Sequence, residues 1–366
     1  MREGFTTGIC AAAASKAAAI FMKYSEVPKR VSVFNLEGRE FNLEVFRAGR
    51  KLAERVKNGF GVIKDSGDDK NNDVTHGITV ISELELTGKK GEIFFKAGEG
   101  VGVVTLPGLK IEVGEAAINP VPREIIKNSV REIFPDEEIF ITISVPDGEK
   151  IALKTFNPRL GIVGGISILG TSGVVKPWNE EAYLESLKLE LNMINALSYE
   201  ELFITFGNQS EKSLRKTLNL QTKNVIQCGN YIGFVLDEAS KKNFSKIIIT
   251  LTIENPGKLL KVAAGNFNTH NKISDSRLEV LCTHLALLKA DYEVIKKVYE
   301  SNTTHEAVEI IKKSLSHEKY FEFWESISES ICKKCSQRIN IEIGVLLIDN
   351  DKKIFEYNNS RYRNRF

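Results

Sequence analysis

Residues 202–253 read LFITFGNQSEKSLRKTLNLQTKNVIQCGNYIGFVLDEASKKNFSKIIITLTI. The apolar runs at 202–206, 225–228 and 246–253 have the length and β-branched content of strands. The stretches 211–218 and 232–241 space their apolar residues for helices. Gly207-Asn208-Gln209-Ser210 is a turn. Strand, helix, strand, helix, strand is βαβ alternation, and it predicts a three-layer α/β domain with a mainly parallel sheet. The pattern continues with a helix from about Asp275 to Lys289 and helices at 304–314 and 317–339. A terminal hairpin follows, with strands at 341–348 and 354–357 around Asp349-Asn350-Asp351. The Asn- and Arg-rich tail is expected to be loose.

Upstream the texture differs. A long helix spans 180–197. Before it the chain is rich in glycine, with strands at 30–34, 41–46, 92–96 and 139–145. Pro122 to Ile133 reads as a helix with proline near its first turn, and Pro146-Asp147-Gly148 as a turn. Mixed order predicts an α+β domain with a mixed sheet. The expected organisation is therefore two-domain α/β, divided into 1–192 and 193–366.

The bulk composition excludes several classes. With 366 residues, 42% hydrophobic and 27% charged, the chain has the make-up of a globular protein large enough for a real core. A formal net charge of +2 gives no general attraction to nucleic acid or membranes. Five scattered cysteines fit a reducing compartment, and no apolar run is long enough to span a bilayer, so a cytoplasmic protein is expected. Cys332-Lys333-Lys334-Cys335 lies on a polar helix and reads as a pair of surface thiols, without the further ligands zinc needs. His284 sits in an apolar helix and reads as structural.

The motifs that bear on chemistry are individually modest. Gly4-Phe5-Thr6-Thr7-Gly8 runs into an alanine-rich helix. Thr6 or Thr7 is a natural N-cap, and no acid in the first turn offsets the helix dipole. Free N–H groups there make a candidate carboxylate or phosphate site, against the plainer reading of a capped packing helix. Gly98-Glu99-Gly100-Val101-Gly102 resembles a dinucleotide fingerprint, but strand and turn follow it rather than helix. No glycine loop ends in Gly-Lys-Ser/Thr. These glycines, like those of 161–173, mark tight turns or close approach to a ligand. The acid- and amide-rich loop 65–77 lacks the glycine and the glutamate of a calcium loop. It offers Asp65, Asp68 and His76 as proton acceptors or hydrogen-bond partners. Asn119 and Arg123 flank prolines at a helix mouth, where Arg123 can fork onto a carboxylate. After the strand 246–253 come Lys258, Lys261, Asn266, Asn268, His270 and Asn271. Gly207 and Asn208 lie at the same sheet edge, where open α/β sheets bind ligands.

In this order the segments 4–19, 64–69 with 73–77, 98–109, 117–123, 165–173 and 258–275 resemble the CbiD family of cobalamin biosynthesis. The resemblance covers nearly the whole chain. It departs at Ile9, at Ala97, at Lys70-Asn71-Asn72 in a longer acidic loop, and at Gly207-Asn208-Gln209-Ser210, where the family has a turn richer in glycine and arginine. It implies an α+β N-terminal domain and a Rossmann-like C-terminal domain. The activity it implies is cobalt-precorrin-5B (C1)-methyltransferase, transferring methyl from S-adenosylmethionine to a ring carbon of a cobalt tetrapyrrole in the oxygen-independent route to vitamin B12. Cobalt then belongs to the substrate, and the protein holds no metal of its own.

Under that resemblance Thr6, Thr7, Gly8, Asp65, Glu99, Gly100, Asn119 and Arg123 are expected to face the tetrapyrrole and its carboxylates. Gly207, Asn208, Lys258, Lys261 and Asn268 are expected at the cofactor. Asp68, His76 and His270 are the candidates to take a proton or balance a charge. Methyl transfer from a sulfonium is an in-line displacement in which positioning supplies much of the acceleration, so neither a metal cluster nor a catalytic triad is needed. The rival readings are a non-enzymatic tetrapyrrole carrier and an ATP-dependent small-molecule kinase. A homo-oligomer is left open.

Overall fold

A run of small residues organises the first unit. The computed structural model describes residues 2–49, 59–175, 180–269, 276–349 and 352–358. His270, the hairpin tip at Asn350 and Asp351, and the tail after residue 358 lie outside them. The chain divides into Met1–Ser186 and Leu187–Phe366, each of mixed α and β content.

In chain order the first unit holds β1 (Gly4–Phe5), α1 (Thr7–Tyr24), β2 (Arg30–Phe34), β3 (Glu40–Glu44), β4 (Phe46–Ala48), β5 (Gly59–Ile63), β6 (Thr79–Lys90), β7 (Ile93–Ala97), β8 (Val103–Val104), α2 (Pro120–Arg131), β9 (Glu137–Ser144), α3 (Gly148–Ala152), β10 (Ile162–Val163) and β11 (Val174–Val175). Its main sheet runs β4-β5-β6-β9-β7, antiparallel except where β7 lies parallel to β9. Ala11–Ala14 and Ala17–Ala19 are 0–1% exposed, so α1 is buried around nearly its whole circumference. It packs against α2 on one side and β5 and β6 on the other. Only small side chains allow so close an approach, and where Ser15 interrupts them its hydroxyl is paired with Ser82 at 2.8 Å. Proline 120 opens α2, two residues earlier than the sequence suggested. Pro146-Asp147-Gly148 leads into the short helix α3, with Asp147 left-handed at φ 60°.

The second unit begins within α4 (Glu180–Ala196) and continues with β12 (Glu201–Thr205), α5 (Asn208–Leu218), β13 (Val225–Gln227), α6 (Ile232–Ala239), β14 (Lys246–Thr252), α7 (Gly257–Ala263), α8 (Arg277–Leu287), α9 (Tyr292–Tyr299), α10 (Thr304–Ser314), α11 (His317–Ser336), β15 (Glu342–Asp349) and β16 (Lys352–Asn358). The sheet order is β13-β12-β14-β15-β16. The first four strands are parallel and β16 is antiparallel at the edge. Strand β12 therefore leads first to one neighbour and then to the other, and the order reverses between β12 and β14. On one face Phe203, Val225, Ile248, Leu346 and Ile348 pack with Leu214 of α5, while α11 packs on β15.

The cysteines on α11 correct the sequence reading. Cys332 and Cys335 are 1% and 0% exposed. They continue the inward stripe Phe323, Trp324, Ile327, Ser328, Ile331, the three-to-four-residue spacing of one helix face. Lys333 and Lys334 between them turn outward and had made the whole segment look polar. Burial pushes the Cys332 thiol up to about 12.

Candidate functional site

The start of α1 is where the tertiary structure differs most from expectation. Thr6 is the N-cap, its Oγ1 accepting the Ile9 N–H at 3.4 Å, and the first turn holds no acid. The N–H groups expected to be free are engaged, however. Gly8 donates to Leu169 O at 3.0 Å and Thr6 to Gly173 O at 3.0 Å, while Thr7 Oγ1 accepts from the Leu169 N–H at 2.9 Å. Thr6 and Thr7 are 6% and 3% exposed. A Cβ on Gly8 would stand 2.9 Å from Pro122 Cγ, so the neighbour that Gly8 admits is the start of α2. The helix end is sealed by the 169–173 segment.

The other glycines are also used inside the chain. Gly100, at φ +69°, lies so close to residues 145–148 that a Cβ there would meet Val145 O at 1.9 Å. A Cβ on Gly165 would meet the Gly100 carbonyl at 2.1 Å. Three segments thus pass backbone to backbone. Ile166 N–H donates to Gly100 O at 2.9 Å, Ala117 N–H to Gly102 O at 2.7 Å and Asn119 N–H to Ile168 O at 2.9 Å. This ladder brings Gly100, Asn119, Thr7 and Gly8 to one end of the unit. Asp65 joins the same end through its carbonyl, which accepts the Phe5 N–H at 2.7 Å. Val163 and Leu169 are exposed, and so is the Glu99 side chain.

Arg123 lies there too, but its fork is taken. It donates from Nε to Ile118 O at 2.8 Å and from Nη2 to Ala116 O at 3.0 Å, and pairs through Nη1 with Glu115 at 2.7 Å. Its guanidinium fixes the 115–118 segment. Asp65 and Asp68 bind Arg2, the first through the guanidinium at 2.9 Å and the second through the backbone N–H at 2.7 Å. Under the same loop lies a network the sequence did not single out. The ammonium of Lys64, whose side chain is 3% exposed, is paired with Asp73. Ser66 Oγ bonds both, at 2.8 Å and 2.7 Å. Burial raises the Asp73 carboxyl, but hydrogen bonds from Lys64, Thr75 and Ser66 outweigh it and hold the pKa at about 2. His76 Nδ1 accepts the Ser66 N–H at 3.1 Å. With Nδ1 accepting, Nε2 is the ring nitrogen that carries the proton.

In the second unit, a cleft of about 400 Å³ opens at the carboxyl ends of β12 and β14, where the strand order reverses. Open α/β sheets bind ligands at such a switch point. Gly207 and Asn208, which begin α5, line it, and so does Lys258 of α7. The first-turn N–H groups of α5, which lack intrahelical acceptors, lie in its wall. A Cβ on Gly207 would meet nothing within 4 Å. Asn208 Oδ1 accepts from Gln227 at 2.9 Å, which commits the carbonyl and leaves Nδ2 as a donor. Lys258 Nζ donates to Gly229 O at 3.2 Å, and burial lowers its pKa.

Lys261 and Asn268 do not line the cleft. Lys261 Nζ donates to Thr269 O at 3.3 Å, and the Asn268 N–H donates to Asn266 Oδ1 at 3.2 Å. In their place stand Ser213, Thr250, Thr252 and Glu254. Thr250 is 1% exposed, and its hydroxyl has no hydrogen-bond partner among the described residues. The signal for it was present in the sequence: two threonines, two residues apart, in the otherwise apolar strand Ile247–Leu251 and its continuation. Cleft, helix start and buried Thr250 lie together at the sheet edge of the second unit in this α/β protein of two units.

Comparison with known proteins agrees with the resemblance. Residues 1–177 match CbiD, and residues 268–358 match the CbiD C-terminal domain. A cobalt-precorrin-5B C(1)-methyltransferase of Thermoanaerobacter sp. is 43% identical over 94% of this chain and 93% of its own. One from Methanocaldococcus jannaschii is 39% identical over 92% and 90%. A crystal structure of a cobalamin biosynthesis protein (cbiD) from Archaeoglobus fulgidus is 32% identical, covering 74% of this chain and 82% of its own, with a TM-score of 0.39. The chain belongs to the CbiD family. No helix among the described residues is long and apolar enough to cross a membrane.

Proposed function

We propose that the chain transfers a methyl group from S-adenosylmethionine to C1 of cobalt-precorrin-5B, giving cobalt-precorrin-6A in the anaerobic route to cobalamin. The names of its relatives support the reaction. The observation that carries the assignment of the methyl donor to the second unit is the cleft at the β12–β14 switch point, with the buried Thr250 hydroxyl left without a partner beside it. The parallel order β13-β12-β14-β15 supports reading that unit as Rossmann-like.

Asn208, the α5 first turn, Thr250 and Lys258 would hold the donor's polar groups, and Glu254 would accept from ribose hydroxyls. When bound, the donor supplies an activated methyl on a positively charged sulfur. The chain contributes binding, alignment and exclusion of water. The acceptor is assigned to the end of the first unit where Thr7, Gly8, Gly100 and Asn119 converge. There apolar Val163 and Leu169 offer a surface to a flat macrocycle, and the His76 Nε2–H offers a donor to a carboxylate.

Calorimetry with S-adenosylhomocysteine tests the donor site. Thr250→Val keeps shape and removes one hydroxyl, so affinity should fall by roughly 3- to 10-fold with no loss of stability. Wild-type affinity in that variant removes Thr250 from the site. Absence of S-adenosylhomocysteine binding by the wild-type chain, with binding of the tetrapyrrole retained, would favour a carrier.

A further inference from the structure

Gln227 is the last residue of β13 and lies in register with Thr205, the last residue of β12. Helix α5 starts shortly after Thr205, at Asn208. Register and connection together bring the end of β13 beside the first turn of α5, at the carboxyl edge of the sheet. There Gln227 Nε2 donates to Asn208 Oδ1 at 2.9 Å and to Glu211 Oε2 at 2.7 Å. Glu211 is 8% exposed, and its other oxygen accepts from Arg215 Nε at 2.8 Å.

The polarity of this relay is fixed from its buried end. A carboxylate paired with arginine only accepts, so Gln227 must turn its nitrogen rather than its oxygen toward Glu211. An amide nitrogen cannot accept, so Asn208 must in turn present its oxygen to Gln227. What Asn208 has left to offer is Nδ2, a donor. Asn208 lines the cleft, whereas Gln227 and Glu211 do not. The Asn208 side chain is exposed, and an exposed asparagine without such a partner can present either end of its amide.

We propose that Gln227 is a positioning residue for the ligand of the cleft. Held by Glu211, it sets the Asn208 amide so that the cleft offers a donor at that point, and the ligand must bring an acceptor to it. This rests on reading the cleft as the methyl-donor site. S-adenosylmethionine carries suitable acceptors in its ring nitrogens, its ribose oxygens and its carboxylate.

Calorimetry with S-adenosylhomocysteine on the full chain tests the relay. Asn208→Ala should weaken binding roughly 3- to 10-fold. Asn208→Asp should weaken it more, because it keeps an oxygen for Gln227 and puts a second oxygen where the donor was. Gln227→Met, its folding checked by melting temperature, should weaken binding about 2- to 5-fold in the wild-type background and have no further effect in Asn208→Ala. A merely structural role for Gln227 would cost the same affinity in both backgrounds. Equal costs in the two backgrounds, or wild-type affinity in Gln227→Met, overturn the proposal. So does wild-type affinity in Asn208→Asp, an exposed substitution that decides the matter even if Gln227→Met melts early. Absence of S-adenosylhomocysteine binding by the wild-type chain overturns the donor reading together with this one, so the wild-type titration tells the two failures apart.

Discussion

Asp73→Asn should destabilise the first unit by an amount that depends on pH in a defined way. In the folded protein the Asp73 carboxyl titrates at about 2, against an ordinary 3.8. At about 1.4 kcal/mol per pKa unit, that difference corresponds to about 2 to 3 kcal/mol of stability at neutral pH. The side chain is only 17% exposed, so solvent screening removes little of this. Because the folded pKa is lowered, the contribution is complete above about pH 5 and falls away as pH drops through 3.8 towards 2, with roughly half left at pH 3. Asparagine imitates the protonated acid, so wild type and variant should differ most at pH 7 and converge in acid. For a unit of this size the gap at pH 7 should appear as a fall of roughly 5–10 °C in melting temperature. Calorimetric scans from pH 7 to pH 3 measure it. Asp73→Ala should cost more, about 3–5 kcal/mol, because the buried Lys64 ammonium loses its carboxylate and the oxygen that replaces it. Equal melting of wild type and Asp73→Asn at pH 7, or a gap unchanged down to pH 3, would refute the reasoning.

Two further perturbations test the first unit. Arg123→Ala should destabilise it by about 2 kcal/mol, because three acceptors at residues 115, 116 and 118 lose their donor, and Arg123→Lys should rescue little, since one ammonium cannot reproduce the fork. Denaturant titration of the three proteins decides this, and full stability in the lysine variant would show that charge alone suffices. Gly100→Ala should prevent the unit from folding stably, since the added Cβ would stand 1.9 Å from Val145 O at a left-handed φ. A folded variant with wild-type melting would show that the segments at 145–148 can retreat.

The difference between the two units in legibility has a physical basis. In 201–253 each strand and helix has a local period, so the alternation could be read directly, and the strands fall within a residue or two of their expected places. Helix α7 has no counterpart in the sequence reading, because its seven residues are too few for a helical period to stand out. In the first unit the meaning of the glycines was not local. Gly8, Gly100 and Gly165 are required by backbone that arrives from tens of residues away. A sequence shows that a close approach occurs but not what approaches.

The sequence by itself determined the two-part α/β organisation, the capped alanine helix and the family, because propensity, periodicity and segment order are properties of the chain read in one dimension. Only the tertiary structure decided that α1 begins against 169–173 rather than against an anion, that Arg123 serves Glu115 and two carbonyls, and that Cys332 and Cys335 face inward. It also decided that Thr250 stands unpartnered beside a cleft. For α1, Arg123 and Thr250 the deciding quantity is which hydrogen-bond donors and acceptors remain unsatisfied after folding, and distant segments fix that balance; for the cysteines it is which face of α11 is turned inward.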